Sequence, residues 1–186
     1  TTDRGLIKPN MTLFLYPDYQ HWDMMNAMNM GMTAEKLFSQ TDLSKEDLDK
    51  WAVRSHQRAA KSQEEGFFKG EIMPIKAPQD DGSVMTVDTD QAVRGDTTFE
   101  GIAGLKPAFK KDGVITAGNS SPLNAGASSM LLMSKETAKK KGIKPLATIR
   151  SIGFAGVDPT IMGAGPVPAS RKALEKAGLK ASDMDF

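Results

Sequence analysis

The chain has 186 residues, 39% of them hydrophobic and 25% charged, with a formal net charge of +1. That length supports one or two domains with a core, and the composition is that of a folded globular protein rather than a disordered one. The balanced charge offers no concentrated basic face for nucleic acid or an anionic membrane, and no apolar stretch approaches the roughly 20 residues that span a bilayer.

Residues 1–20 read as irregular, because Pro9, Asn10, Pro17 and Asp18 break any period, with one short apolar stretch at residues 11–16. They lack the charged, apolar and small-residue layout of a signal peptide. A cluster of methionines follows (Met24, Met25, Met28, Met30, Met32), suited to filling core gaps or to lining an adaptable apolar surface. A short helix is expected to enter at Thr33. The clearest helix starts after Ser44, an N-cap with Glu46 and Asp47 in the first turn. Leu48, Trp51, Ala52, Ser55, Ala59 and Ala60 share one of its faces, and Gly66 ends it. Residues 71–77 and 84–90 read as two strands joined by PQDDGS, whose Asp81 and Gly82 favour a hairpin turn. Thr97 and Glu100 have capping-box spacing before a short helix over residues 99–105.

The stretch GVITAGNSSPLNAGASSMLLMS, residues 113–134, organises the second half. An extended β-branched run, a small-residue loop and a second apolar segment, expected to be buried, form a place where backbone approaches a bulky ligand closely. Ser134 caps a helix over residues 134–141, whose Lys139, Lys140 and Lys141 compensate the dipole ahead of Gly142. Residues 146–152 read as a strand, 153–168 as a long Gly- and Pro-rich loop, and 169–177 as a final helix ended by Gly178. Asp185 and Phe186 read as the start of a further strand. Strands separated by helices indicate an α/β protein. Unpaired strand edges at 146–152 and 183–186 would require a neighbour for stability.

Residue types alone do not assemble a catalytic set. The chain has no cysteine, hence no disulfide and no thiolate metal site, and its two histidines, His21 and His56, lie away from any Gly-x-Ser-x-Gly turn. GNSSPLNAG lacks the closing Gly-Lys-Ser/Thr of a phosphate loop, and GAGPVPAS carries prolines where a dinucleotide-binding turn needs backbone donors. No histidine and carboxylate pair has metal-ligand spacing, so no metal is expected.

TAGNSSPLNAGASSMLLMS closely resembles the TAGN-containing stretch of the thiolases, which make or cleave 3-ketoacyl-CoA. Four more stretches match in the same order: NMGMTAEKL at 29–37, WAVRSHQRAAKSQEEGFFKGEI at 51–72, LKPAF at 105–109 and GVDPTIMGAGPVPASRKALEKAG at 156–178. The resemblance runs from about Asp23 to Phe186. It implies a partial thiolase-like α/β fold: a loop domain with its lead-in at 1–123, the end of the N-terminal core half at 124–145, and the start of the C-terminal half at 146–186.

The resemblance further implies a 3-ketoacyl-CoA thiolase, or acetyl-CoA acyltransferase, acting by acyl transfer through an acyl-cysteine. Its cysteines and its Gly-His-Pro histidine fall outside this segment, as does the Asn-Glu-Ala-Phe motif, so none of the catalytic residues is expected here. The segment would instead supply coenzyme A binding. By resemblance, Arg94 lies near the nucleotide end of CoA; on the residues alone a surface ion pair with Asp88, Asp90 or Asp96 is the favoured reading. Ser121 matches the serine at the pantetheine amide, and is otherwise a loop or capping serine. Ala117, Phe109, Leu123 and Met30 match apolar wall positions of the CoA tunnel, and Met162 a methionine beside the reaction chamber; core packing is the alternative for each. Asn29 stands where many biosynthetic members have histidine, which points to the degradative β-oxidation branch. Pro122 replaces a common glycine, and Ala125 a common aspartate. The resemblance also implies acyl-CoA as partner, a homodimer or tetramer with a β-oxidation complex in view, and a cytoplasmic or organelle-matrix location. The alternative from another class is a non-catalytic CoA- or acyl-binding module.

Overall fold

The computed structural model describes Asp23, Ala27 and residues 29–185. The chain forms two compact units, one comprising Thr1–Gln40 with Gly126–Phe186 and the other Thr41–Ala125. The expectations for residues 1–20, for Met24, Met25 and Met28, and for Phe186 fall outside the described residues.

The unit Thr41–Ala125 is built on helix α2, Lys45–Glu64. Its start is fixed by a reciprocal cap: the Asp47 N–H donates to the Ser44 hydroxyl at 3.2 Å, and the Ser44 N–H donates to the Asp47 carboxylate at 2.8 Å. The Ser44 hydroxyl also bonds that carboxylate, and these contacts hold Asp47 below the usual aspartate range. The chain turns left-handed at Gly66, as expected of the residue after the cap. The expected apolar face is not uniformly inward, because Trp51 is 68% exposed and lies under the Arg54 guanidinium at 5.1 Å. The residue on the inward side of this helix is Asp49, 1% exposed.

A two-stranded antiparallel hairpin follows, β1 (Ile75–Pro78) and β2 (Val84–Val87), with Ile75 opposite Val87 and Pro78 opposite Val84. Asp81 accepts the Ser83 N–H at 2.9 Å inside the turn, the role anticipated for the Asp-Gly pair. Both strands are shorter than anticipated. Pro74 and Pro78 have no N–H to extend the ladder, and beyond β2 the chain is drawn back to α2, where Gln63 donates to the Asp90 carbonyl at 3.0 Å. Helix α3 is Phe99–Ala103, ending two residues before its expected limit and capped by Thr98 rather than Thr97. Thr97 is buried and donates its hydroxyl to the Arg94 carbonyl at 2.8 Å. Thr98 is thus left to accept the Gly101 N–H at 3.1 Å.

In the other unit, helix α1 is Met30–Phe38 and starts three residues before Thr33. Asn29 is its N-cap, its side chain accepting the Met32 N–H at 3.1 Å. Lys36 on α1 donates to the Thr160 hydroxyl, joining the helix to a 3-10 turn, Pro159–Ala164, that lies within the expected loop. Helix α4 is Lys135–Lys140, with Ser134 as cap as anticipated. Helix α5 is Pro166–Ala177, beginning three residues before residue 169, because proline is tolerated in a first turn where N–H groups have no partner.

Residues 146–152 do not form a strand. The segment runs beside α5, held by side-chain bonds: Ser151 to the Ala173 carbonyl at 2.6 Å and Lys176 to the Ile152 carbonyl at 2.9 Å. Gly153 permits the close approach, since a Cβ there would stand 2.2 Å from the Ala169 carbonyl oxygen. The apolar run at 130–133 is also not buried as expected, with Met130 81%, Leu131 77% and Leu132 65% exposed. No described strand pairs with either segment, so neither gains a ladder or a covering layer. Among the described residues the buried apolar set is Ile102 and Ala138, whereas Thr33, Glu35, Asp49, Thr97, Thr116 and Thr160 are buried polar groups.

Candidate functional site

The TAGN turn is assembled on α2 and α3. Pro107 and Thr116 form an isolated antiparallel bridge, and the Ala108 N–H donates to the Ile115 carbonyl at 2.8 Å. Thr116 is fully buried, its N–H donating to Asn119 Oδ1 at 2.8 Å and its hydroxyl accepting the Gly118 N–H at 3.2 Å. Gly118 sits against Ile102 and Leu105, where a Cβ would come within 2.9 and 2.7 Å of side-chain carbons. The Asn119 amide donates to the Val114 carbonyl at 3.0 Å and to Asp49 Oδ1 at 2.9 Å. This arrangement presents Ala117 outward, with Ser121 and Leu123 exposed further along the same loop.

Arg94 is exposed and is not ion-paired with Asp88, Asp90 or Asp96 among the described residues. It is held instead by His56: the Arg94 backbone N–H donates to Nδ1 at 3.2 Å, and its Nη2 lies 3.3 Å from Nε2. Because Nδ1 accepts, the ring proton resides on Nε2, facing a guanidinium nitrogen that is also a donor.

Phe109 is 44% exposed beside a shallow hollow to which Lys106, Lys110 and Lys111 contribute. In the other unit, Met30 at the start of α1 is 55% exposed, and Met162 in the 3-10 turn is 48% exposed. Asp158 caps that turn by accepting the Thr160 N–H at 2.8 Å and its hydroxyl at 2.7 Å, which together with Lys36 lowers the carboxyl below its ordinary range. All seven anticipated residues are solvent-exposed. The structure groups Arg94, Phe109, Ala117, Ser121 and Leu123 in one unit, and Met30 and Met162 in the other. No cluster of three or more metal-ligating side chains occurs among the described residues. Nor is any described helix long and apolar enough to cross a membrane.

Residue-type reasoning weighed His56 and set it aside, as a histidine with no motif of its own. It passed over Asp49 and Asn119. A signal existed for Asp49, which falls on the same α2 face as Lys45, Ala52 and His56 at helical spacing.

The family model described as "Thiolase, N-terminal domain" matches residues 10–136, and "Thiolase, C-terminal domain" matches residues 143–186. The chain belongs to the thiolase family. It is 49% identical over 165 residues to an acetyl-CoA acetyltransferase of Pseudomonas aeruginosa, covering 89% of this chain and 42% of that protein. It is 48% identical over 158 residues to a 3-ketoacyl-CoA thiolase of Marinobacter nauticus, covering 84% and 40%. The crystal structure of the Bacillus anthracis acetyl-CoA acetyltransferase superposes with a TM-score of 0.80 at 48% identity, over 84% of this chain and 40% of that one. This thiolase chain therefore has a partial thiolase-like α/β fold, and it spans about two-fifths of the length of the curated relatives it matches.

Proposed function

We propose that this chain is the coenzyme A-binding portion of an acyl-CoA acyltransferase. The parent protein would transfer an acyl group to CoA by thiolysis of 3-ketoacyl-CoA, or run the reverse Claisen condensation. On this reading Arg94 takes a phosphate at the nucleotide end and Ser121 the pantetheine amide. Ala117, Phe109 and Leu123 line the apolar arm. Residues 1–123 act as the loop domain with its lead-in, 124–145 end the N-terminal core half and 146–186 begin the C-terminal half. The nucleophilic cysteine and the histidine belong to the parent outside these residues, so the segment alone is inactive. The same reading makes the parent a degradative β-oxidation enzyme of the cytoplasm or an organelle matrix, acting as a homodimer or tetramer.

The observation that supports it is Arg94, exposed, without an acidic partner among the described residues, its backbone N–H held by the His56 ring. A charge-assisted contact to phosphate contributes about 1.5–3 kcal/mol where the bound ligand desolvates it, so Arg94→Ala should weaken CoA about 10- to 150-fold. Calorimetric titration of the 186-residue chain with CoA and with pantetheine tests this. The expected result is saturable CoA binding that falls in Arg94→Ala while pantetheine binding stays level. Equal CoA affinity in both proteins, or no saturable binding, would overturn it. Intact-mass measurement of the native protein separates the two classes of reading: a species much heavier than 20.1 kDa supports the acyltransferase, and a 20.1 kDa species that binds CoA supports a stand-alone binding module.

A further inference from the structure

Asp49 is a carboxylate at 1% exposure inside the unit Thr41–Ala125. A buried carboxylate is tolerated only where ionic and hydrogen-bonding partners replace water. Two do so here: the Lys45 ammonium reaches one oxygen at 2.5 Å, and the Asn119 amide donates to the other at 2.9 Å. Lys45 also donates to the Ala103 carbonyl at 2.9 Å, tying the start of α2 to the end of α3.

Asn119 is fully committed. Its oxygen accepts the Thr116 N–H, and its nitrogen serves the Val114 carbonyl and Asp49. Two of these bonds close the turn on itself, and the third crosses to α2, 70 positions away in the chain. Flipping the amide would set its oxygen against the Asp49 carboxylate and its nitrogen against the Thr116 N–H, so only one orientation is favourable. An apolar residue at 49 would leave a part-buried amide hydrogen unpaired.

We propose that Asp49 is a positioning residue that acts through Asn119 to fix the orientation of the turn over residues 114–119, and thereby the placement of Ala117 and Ser121. The inference rests on the CoA-binding reading for its functional consequence, but the lock itself is independent of any ligand.

The test compares the wild-type chain with Asp49→Asn, Asn119→Asp and the double variant, by amide hydrogen exchange and by CoA titration. Each single change breaks the match: Asn119→Asp sets two carboxylates against each other, and Asp49→Asn keeps one acceptor oxygen for two donors, so that when the Lys45 ammonium takes it two amide NH2 groups face each other. The double variant exchanges donor and acceptor and restores one complementary bond. Exchange at Thr116 and Gly118 should rise about tenfold or more in either single variant, while the β1–β2 hairpin keeps its protection. CoA affinity should fall in parallel, and the double variant should recover part of both. Unchanged exchange in the turn, an equal rise across the whole unit, or a double variant no better than the singles would each overturn the lock. A loosened turn with undiminished CoA affinity would overturn the positioning role. Failure of the wild-type chain to bind CoA, with the exchange pattern as described, would leave the lock standing and sink the CoA reading instead.

Discussion

At Gly118 the constraint is steric. A methyl group there would stand 2.7 Å from Leu105 Cδ1 and 2.9 Å from Ile102 Cβ, and Ile102 is one of two buried apolar residues among those described. Gly118→Ala should therefore destabilise the unit by about 1–3 kcal/mol, read as a lower urea midpoint with little change in slope. Arg54 gives the contrast. Its guanidinium lies over the exposed Trp51 ring, so Arg54→Ala should cost no more than about 1 kcal/mol and leave CoA binding unaltered, which the same denaturation and titration would show. The two residues differ because one neighbour is enclosed and the other faces water.

At the scale of elements, caps decide where helices begin. Ser44→Ala removes the hydroxyl that receives the Asp47 N–H, and α2 should lose about 1 kcal/mol, seen as faster amide exchange in its first turn. The 3-10 turn Pro159–Ala164 responds to acid through Asp158. Its carboxyl is lowered, first by the Thr160 hydroxyl and then by the Thr160 N–H and the Lys36 charge. A depressed folded value means the stabilisation is present above the unfolded aspartate value of about 4 and is lost as pH falls through the lower folded value. Exchange in the turn should accordingly stay level from neutral pH to about 4 after correction for intrinsic rates, then rise below it, and Asp158→Asn should abolish that dependence. Local chemistry explains why these elements could be read in advance. Ser44, Ser134 and the Asp81 and Gly82 pair act on neighbours within three residues. The strand expected at 146–152 failed for the opposite reason: β-branched residues favour extended backbone, but a strand exists only where another supplies its ladder.

At the scale of the whole molecule, several large apolar side chains among the described residues lie open to solvent. Leu123 is 94% exposed, Leu146 106% and Phe154 80%. Apolar surface of this extent promotes association, so the chain should enhance the fluorescence of a hydrophobic dye and self-associate with rising concentration. Sedimentation of Leu146→Ser/Phe154→Ser should show less association than wild type; identical profiles would count against these residues as its source.

What the sequence alone determined is the family, the α/β class, the helix caps, the hairpin turn and the small-residue loop, since these depend on residue type and on spacing along the chain. Tertiary structure decided the rest. It turned Arg94 from a residue with three nearby aspartates into one held by His56, and it brought Asp49 to Asn119 across 70 positions. A hydrogen bond requires atoms within about 3 Å, and for residues so distant in the chain only packing of α2 against α3 and the TAGN turn creates that proximity.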